Sequence, residues 1–183
     1  MAPGNAASTA AHDAGDPYVV AGTASDPTAT INPTATIEPD SYTPLRRVVA
    51  TGLQDAPLSV DVLLGLVTGP SVGGIGLFVG IVRDVDHGHP VRSLDYTAHP
   101  TAEVELRRCA DEVAARHPVE TVAVSHRVGH LEIGDLAVVV AVGARHRGPA
   151  LAACHELIDQ LKQEVPVWKE QRFADGTVEW VGL

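Results

Sequence analysis

Pro166 constrains the fold of this chain more than any other residue. A proline cannot continue a helix, and it steers the residue before it away from helical geometry. The stretch 149–165 ahead of it carries Leu151, Cys154, Leu157 or Ile158, and Leu161 at helical spacing, and Pro149 suits a first helical turn. The pattern predicts a long helix that stops near Val165, then an extended segment folding back beside the helix end. The two lysines of the protein, Lys162 and Lys169, lie on either side of that break, against eleven arginines. A guanidinium stays charged, whereas an amine can shed its proton when partly buried and act as base or nucleophile. Two amines brought together by a proline break are therefore the first candidates for chemistry.

The rest of the chain supplies shorter elements. Residues 46–51 read as a strand, and Ser59 reads as the N-cap of a helix over 60–67, with Asp61 favourable in its first turn. The apolar run 73–84 is expected to be a central strand. Its glycines are not followed by Gly-Lys-Ser/Thr and do not open a helix, which excludes a phosphate loop. They mark a bulge or a close backbone approach instead. Arg83 ends this run before a polar turn over 84–90, placed to project from the strand end into a site. A strand over 91–97 precedes a helix opened by His99-Pro100, with Ala102, Leu106, Cys109, Ala110 and Val113 on its core face. Residues 119–127 and 135–144 read as strands joined by a turn over 129–134, and 168–173 with 177–181 as a hairpin. Few regular βαβ units appear. The class expected is α+β: one domain with a mixed or antiparallel sheet and packed helices.

Composition narrows the function. Residues 1–44 contain five acids, no Lys or Arg, and the near-repeat Pro27-Thr28-Ala29-Thr30-Ile31 and Pro33-Thr34-Ala35-Thr36-Ile37. Such a segment cannot bury enough apolar surface to offset its ordering entropy, so it is expected to be a disordered tail ahead of a domain over 45–183. A net charge of −10 argues against nucleic-acid binding. No apolar run approaches the roughly 20 residues that cross a bilayer. The start lacks a basic region followed by an apolar one, and a cytoplasmic protein is expected. Cys109 and Cys154 lie on apolar helix faces and read as buried small hydrophobes. His126, Arg127 and His130 lack ligand spacing and read as structural, so neither a metal nor a cofactor is expected. Arg145-His146-Arg147, at the start of the long helix, gathers cations beside free amide donors and forms a candidate anion site.

Five segments in this order resemble one family. They are Phe78-Val79-Gly80-Ile81-Val82-Arg83-Asp84, Ala98-His99-Pro100, His126-Arg127-Val128-Gly129, Arg145-His146-Arg147, and Lys162 with Val165-Pro166-x-Trp168-Lys169. Together they resemble the large, catalytic subunit of molybdopterin synthase, across about residues 45–181. The resemblance implies an α/β-hammerhead type of fold. It also implies an enzyme that installs the dithiolene of molybdopterin on cyclic pyranopterin monophosphate (precursor Z). Sulfur would arrive as the C-terminal Gly-Gly thiocarboxylate of a small ubiquitin-like carrier subunit, in a heterotetramer built on a homodimer of large subunits. By motif position, substrate contacts would fall on Ile81, Val82, Arg83, His146, Arg147, Lys162, Lys169, Glu170 and Gln171. Lys162 would be the catalytic amine, with Lys169 as its electrostatic partner.

The residues fit that chemistry. A cyclic phosphate needs fixed cations and amide donors, and a lysine can serve acyl transfer as base, acid or transient acceptor. Arg147 and Lys162, however, fall at opposite ends of one helix, about 22 Å apart at 1.5 Å per residue. That exceeds the reach of a pterin, so each pocket is expected to take its lysines from one protomer and His146-Arg147 from the other. Two other functions fit the same residues. One is an adaptor holding a ubiquitin-like tail and an anion without turnover; the other is a Schiff-base lysine enzyme acting on a phosphorylated carbonyl compound.

Overall fold

The computed structural model describes residues 42–182. In chain order its elements are β1 (Arg47–Gln54), α1 (Val60–Val67), β2 (Gly74–Ile81), β3 (Val85–Asp86), β4 (His89–Ala98) and α2 (Ala102–Arg116). There follow β5 (Thr121–Arg127), β6 (Gly129–Glu132), β7 (Leu136–Ala144), α3 (Arg147–Glu164), β8 (Val167–Phe173) and β9 (Val178–Gly182). The class is α+β, with the strands divided between two sheets. One runs β1-β5-β7-β2, parallel between β1 and β5 and antiparallel elsewhere. The other is antiparallel, in the order β3-β4-β8-β9, with β6 pairing β4. The segment expected to lie beyond the domain falls outside the described residues up to residue 41. Of its last three residues, Tyr42 donates its phenol hydrogen to Glu120 and lies under the Arg145 guanidinium, 4.9 Å from the ring centroid.

Local chemistry explains most boundaries. Ser59 caps α1 by accepting from the Val62 amide at 3.3 Å. His117-Pro118 ends α2. β5 and β7 are the inner strands of the first sheet and are buried along nearly their whole length, β7 as a near-continuous apolar run. Residues 85–90, expected as a turn, instead form the β3–β4 hairpin. His87 and Gly88 close it with positive φ at both positions, 48° and 85°. That pairing of signs gives a two-residue turn whose twist matches the strands. β6 was likewise hidden in the expected turn over 129–134, because four residues are too few for alternation to declare a strand.

α3 buries Ala150, Ala153, Cys154, Leu157, Ile158 and Leu161, a stripe at three- and four-residue spacing. Leu151, expected in that stripe, is instead 57% exposed; Ala150 and Cys154 take the face against Gly76 of β2. Small residues are needed there because the backbones nearly touch. A Cβ at Gly76 would stand 2.3 Å from the Ala150 carbonyl oxygen, so the glycines of β2 do mark a close approach. α3 stops at Val165, whose amide donates to the Leu161 carbonyl at 3.0 Å. The Pro166 carbonyl accepts from the His99 amide at 3.0 Å, which fixes the turn to the end of β4. β8 then runs antiparallel to β4, with Lys169 opposite Tyr96 and Gln171 opposite Leu94.

Because the Gly76 contact is backbone to backbone, no side chain can yield. Gly76→Ala is expected to lower stability by about 1–3 kcal/mol, the usual cost of overpacking. Urea unfolding followed by circular dichroism measures it, with Gly148→Ala, which meets no atom within 4 Å, as the control.

Candidate active site

A cavity of about 400 Å³ opens between the two sheets, closed on one side by the last turns of α3. Each element contributes one face. α3 presents Ile158, Leu161 and Lys162, spaced to share one side of the helix. β8 presents Lys169 and Gln171, while β4 presents Leu94 and Tyr96 from the paired register positions. The end of β2 gives Phe78, Ile81, Val82 and Arg83, and β3 gives Asp86. The Val82 amide donates to the Asp135 carbonyl at 3.0 Å, and its own carbonyl accepts from Gly134 at 2.8 Å. The backbone leading to Arg83 is therefore held from both sides.

The cavity carries three cationic groups and one carboxylate. Lys169 Nζ donates to Asp86 Oδ2 at 3.2 Å, and Arg83 Nη2 donates to the other oxygen, Oδ1. Burial alone would raise the Asp86 carboxyl. The hydrogen bonds from Arg83 and Lys169, with the nearby Gln171 amide, outweigh it and hold the group well below the ordinary carboxylate range. Lys162 makes no ion pair with any described residue. Gln171 is 1% exposed, and its Nε2 satisfies no hydrogen-bond geometry with any described residue, leaving a buried donor at the cavity wall. His126 is also buried there; burial lowers its pKa and keeps the ring neutral. Its Nδ1 lies 2.6 Å from the Arg127 carbonyl, which can only accept, so the hydrogen sits on Nδ1. Tyr96 packs against this ring edge to face, 4.9 Å between centroids.

Six of the nine residues singled out in the sequence line this one cavity: Ile81, Val82, Arg83, Lys162, Lys169 and Gln171. Glu170 does not. Strand alternation turns it to the opposite face of β8, where it pairs with Arg172. His146 and Arg147 stand at the far end of α3, His146 as its N-cap without a side-chain capping bond. Asp86, Tyr96 and His126 were missed as site residues. Asp86 looks no different in sequence from Asp84, and only the hairpin turn that reverses the chain after it gives it a direction.

Cys109 and Cys154 are buried, and burial, with Glu164 adding to it at Cys109, pushes both thiols up to about 11. Among the described residues, no three His, Cys, Asp or Glu side chains group so as to hold a metal, and no helix is long and apolar enough to cross a membrane.

This architecture defines an α+β protein with a cationic, partly apolar cavity lined by two lysines and an arginine and suited to a small anionic molecule. Comparison with known proteins gives its family. Residues 53–164 match the MoaE protein family. The chain is 44% identical over 149 residues to molybdopterin synthase catalytic subunit 1 of Mycobacterium tuberculosis, covering 75% of this chain and 98% of that one. It is 38% identical over 126 residues to the human molybdopterin synthase catalytic subunit, covering 68% and 66%. A crystal structure of molybdopterin synthase from Staphylococcus aureus superposes with a TM-score of 0.67 at 31% identity, covering 72% and 96%. The chain belongs to the MoaE family, the catalytic subunits of molybdopterin synthase.

With both thiols raised to about 11, only about one in a thousand is thiolate at pH 8. Iodoacetamide is expected to leave both cysteines unmodified in the native protein at pH 8 and to label both after denaturation. Labelling should appear as the pH rises toward 11, and intact-mass measurement follows it.

Proposed function

We propose that this chain transfers sulfur to cyclic pyranopterin monophosphate at the cavity of Lys162, Lys169 and Arg83, forming the molybdopterin dithiolene. The single observation that carries this site is that both lysines line one cavity with Arg83. The cavity volume suits a pterin-sized molecule, and its apolar Phe78, Leu94 and Ile158 offer a surface to a flat ring. Cations supply the charge that a cyclic phosphate requires. The buried Gln171 side-chain amide, beside Asp86, supplies a donor for a ring acceptor.

Sulfur arrives as the thiocarboxylate at the C-terminus of a small ubiquitin-like carrier. A solved complex of subunits 1 and 2 of the molybdopterin-converting factor from Helicobacter pylori shares the fold, with a TM-score of 0.58 at 19% identity, covering 73% of this chain and 90% of that one. A docked partner is in keeping with that likeness. Lys162 acts at the acyl carbon of the carrier, as acid, base or transient acceptor, because it is the amine without a counter-charge among the described residues. Lys169 stands beside it as fixed positive charge. His146 and Arg147 act in the pocket of a second copy of the chain, since α3 holds them about 22 Å from Lys162 at 1.5 Å per residue. The working assembly is then a homodimer of this chain with a carrier at each end, in the cytoplasm.

Dithiolene formation from precursor Z with thiocarboxylated carrier is the assay. Lys162→Ala is expected to lose roughly 10²–10⁴-fold in kcat, the range of general acid–base catalysis, while carrier binding persists. Unchanged turnover removes the lysine from the mechanism. The shared pocket has a separate test. Lys162→Ala and Arg147→Ala chains, each inactive alone, are expected to recover activity when co-expressed, because a mixed two-fold dimer keeps one pocket whole. Absence of recovery in purified mixed dimers places both groups in one chain's pocket.

A further inference from the structure

We propose that Asp86 is the positioning residue of the site: its buried carboxylate holds Lys169 and Arg83 in place and leaves Lys162 as the amine that no described carboxylate clamps. The inference rests on the functional reading above and extends it, by assigning the two lysines different work and naming the residue that separates them.

The geometry is asymmetric. The Asp86 side chain is 10% exposed and that of Lys169 21%, so the ion pair between them is largely withdrawn from water. Its second oxygen is taken by Arg83, whose side chain is 70% exposed and reaches in from the rim. One carboxylate thus spans both cations through separate oxygens, with the Gln171 amide beside it. Lys162, on the neighbouring wall of the same cavity, has no acidic partner among the described residues. A buried charge is tolerated when it is paired and hydrogen-bonded, and the pair then resists disruption because removing one partner strands the other. Lys169 is therefore fixed as a positioned ammonium, and Lys162 has no such clamp among the described residues.

The backbone also serves this arrangement. Asp86 is the last residue of β3, and the turn through His87 and Gly88, both at positive φ, directs the chain back along β4 immediately after it. His87 accepts an unfavourable conformation there. The Val91 amide donates to the Asp84 carbonyl at 2.8 Å and closes the loop from the other side.

The division has a chemical consequence. A phosphate entering the cavity meets Arg83 and Lys169 already stationed, and they need no reorganisation to receive it. An acyl carbon arriving from the carrier meets an amine that no described carboxylate competes for.

The chain has two lysines, so the proposal can be read directly by amine chemistry without any substrate. Brief reductive methylation of the native protein, followed by peptide mass spectrometry, compares Lys162 with Lys169. Methylation at Lys162 is expected to run about tenfold faster, and Asp86→Asn is expected to raise the Lys169 rate until the two are within about twofold. An Asp86→Asn protein that folds and keeps the native rate ratio overturns the proposal. A wild-type ratio that favours Lys169 overturns it too. Should Asp86→Asn fail to fold, wild-type protein labelled with ¹⁵N-lysine gives the same answer. One slowly exchanging ammonium signal, from Lys169, is expected; a signal from Lys162 alone, or from neither, overturns it.

In turnover, Asp86→Asn is expected to cut kcat/KM for the pterin about tenfold or more, with KM rising as the two phosphate-facing cations lose their station, and Asp86→Glu to restore part of it. An unchanged kcat/KM in a folded Asp86→Asn protein overturns the positioning role. If the sulfur-transfer reading itself is wrong, no turnover is seen in wild type while the methylation ratio still holds.

Discussion

The turn from α3 into β8 is the constraint on which the rest depends. Pro166 has no amide hydrogen, so the helix cannot run on, and Val165 takes an extended conformation before it. Only these two residues lie between helix and strand. A connection that short permits little choice of direction, and the His99 amide removes what is left by binding the Pro166 carbonyl. The last turn of α3 and the middle of β8 therefore face each other across a narrow space. Lys162 and Lys169 meet in that space although seven positions and a change of secondary structure separate them.

That meeting sets an electrostatic problem that the surrounding strands answer. Three cationic side chains in a cavity of about 400 Å³ repel one another, and the apolar walls contribute no compensating dipoles. One buried carboxylate makes the arrangement tolerable without filling the space. The surface ion pairs between α2 and α3, such as Arg108 with Glu164 and Arg116 with Glu156, are exposed and contribute little each. What holds α3 against the sheet is its apolar stripe and the close approach at Gly76. The site is thus carried by packing and adjusted by charge.

Sequence patterning reached the elements whose periodicity is long enough to count. α1, the stop of α3 at Val165, and the apolar strands β2, β5 and β7 were legible because capping, proline chemistry and burial each leave a mark within a few residues. β3 and β6 were not, since two and four residues cannot display alternation. Leu151 was misplaced by treating every apolar residue near the stripe as part of it, when Ala150 and Cys154 take the tight face. At the site, the lysines and Arg83 stood out by scarcity and by position at element ends. Glu170 and Gln171 were named together, and only the strand register, Gln171 facing Leu94, turns one inward and the other out. Asp86 stayed hidden because its role depends on a hairpin that the sequence presents as a plain polar turn.

The length of α3 then links chemistry to assembly on the proposed reading. Its C-terminal turn is committed to the cavity through Ile158, Leu161 and Lys162, and its N-terminus carries His146 and Arg147 with backbone donors that no capping side chain satisfies. Helix N-termini that hold cations as well as free amides are unfavourable alone, because the positive end of the dipole repels added positive charge. An anion relieves both at once. A rigid helix cannot bend its two ends onto one small substrate, so the anion that satisfies its N-terminus lies outside the chain's own cavity. A two-fold arrangement supplies it: each copy lends its helix start to its neighbour's cavity and receives the same in return. Dimerisation is then a condition of forming the site, because neither copy alone has both the amines and the full anion cradle.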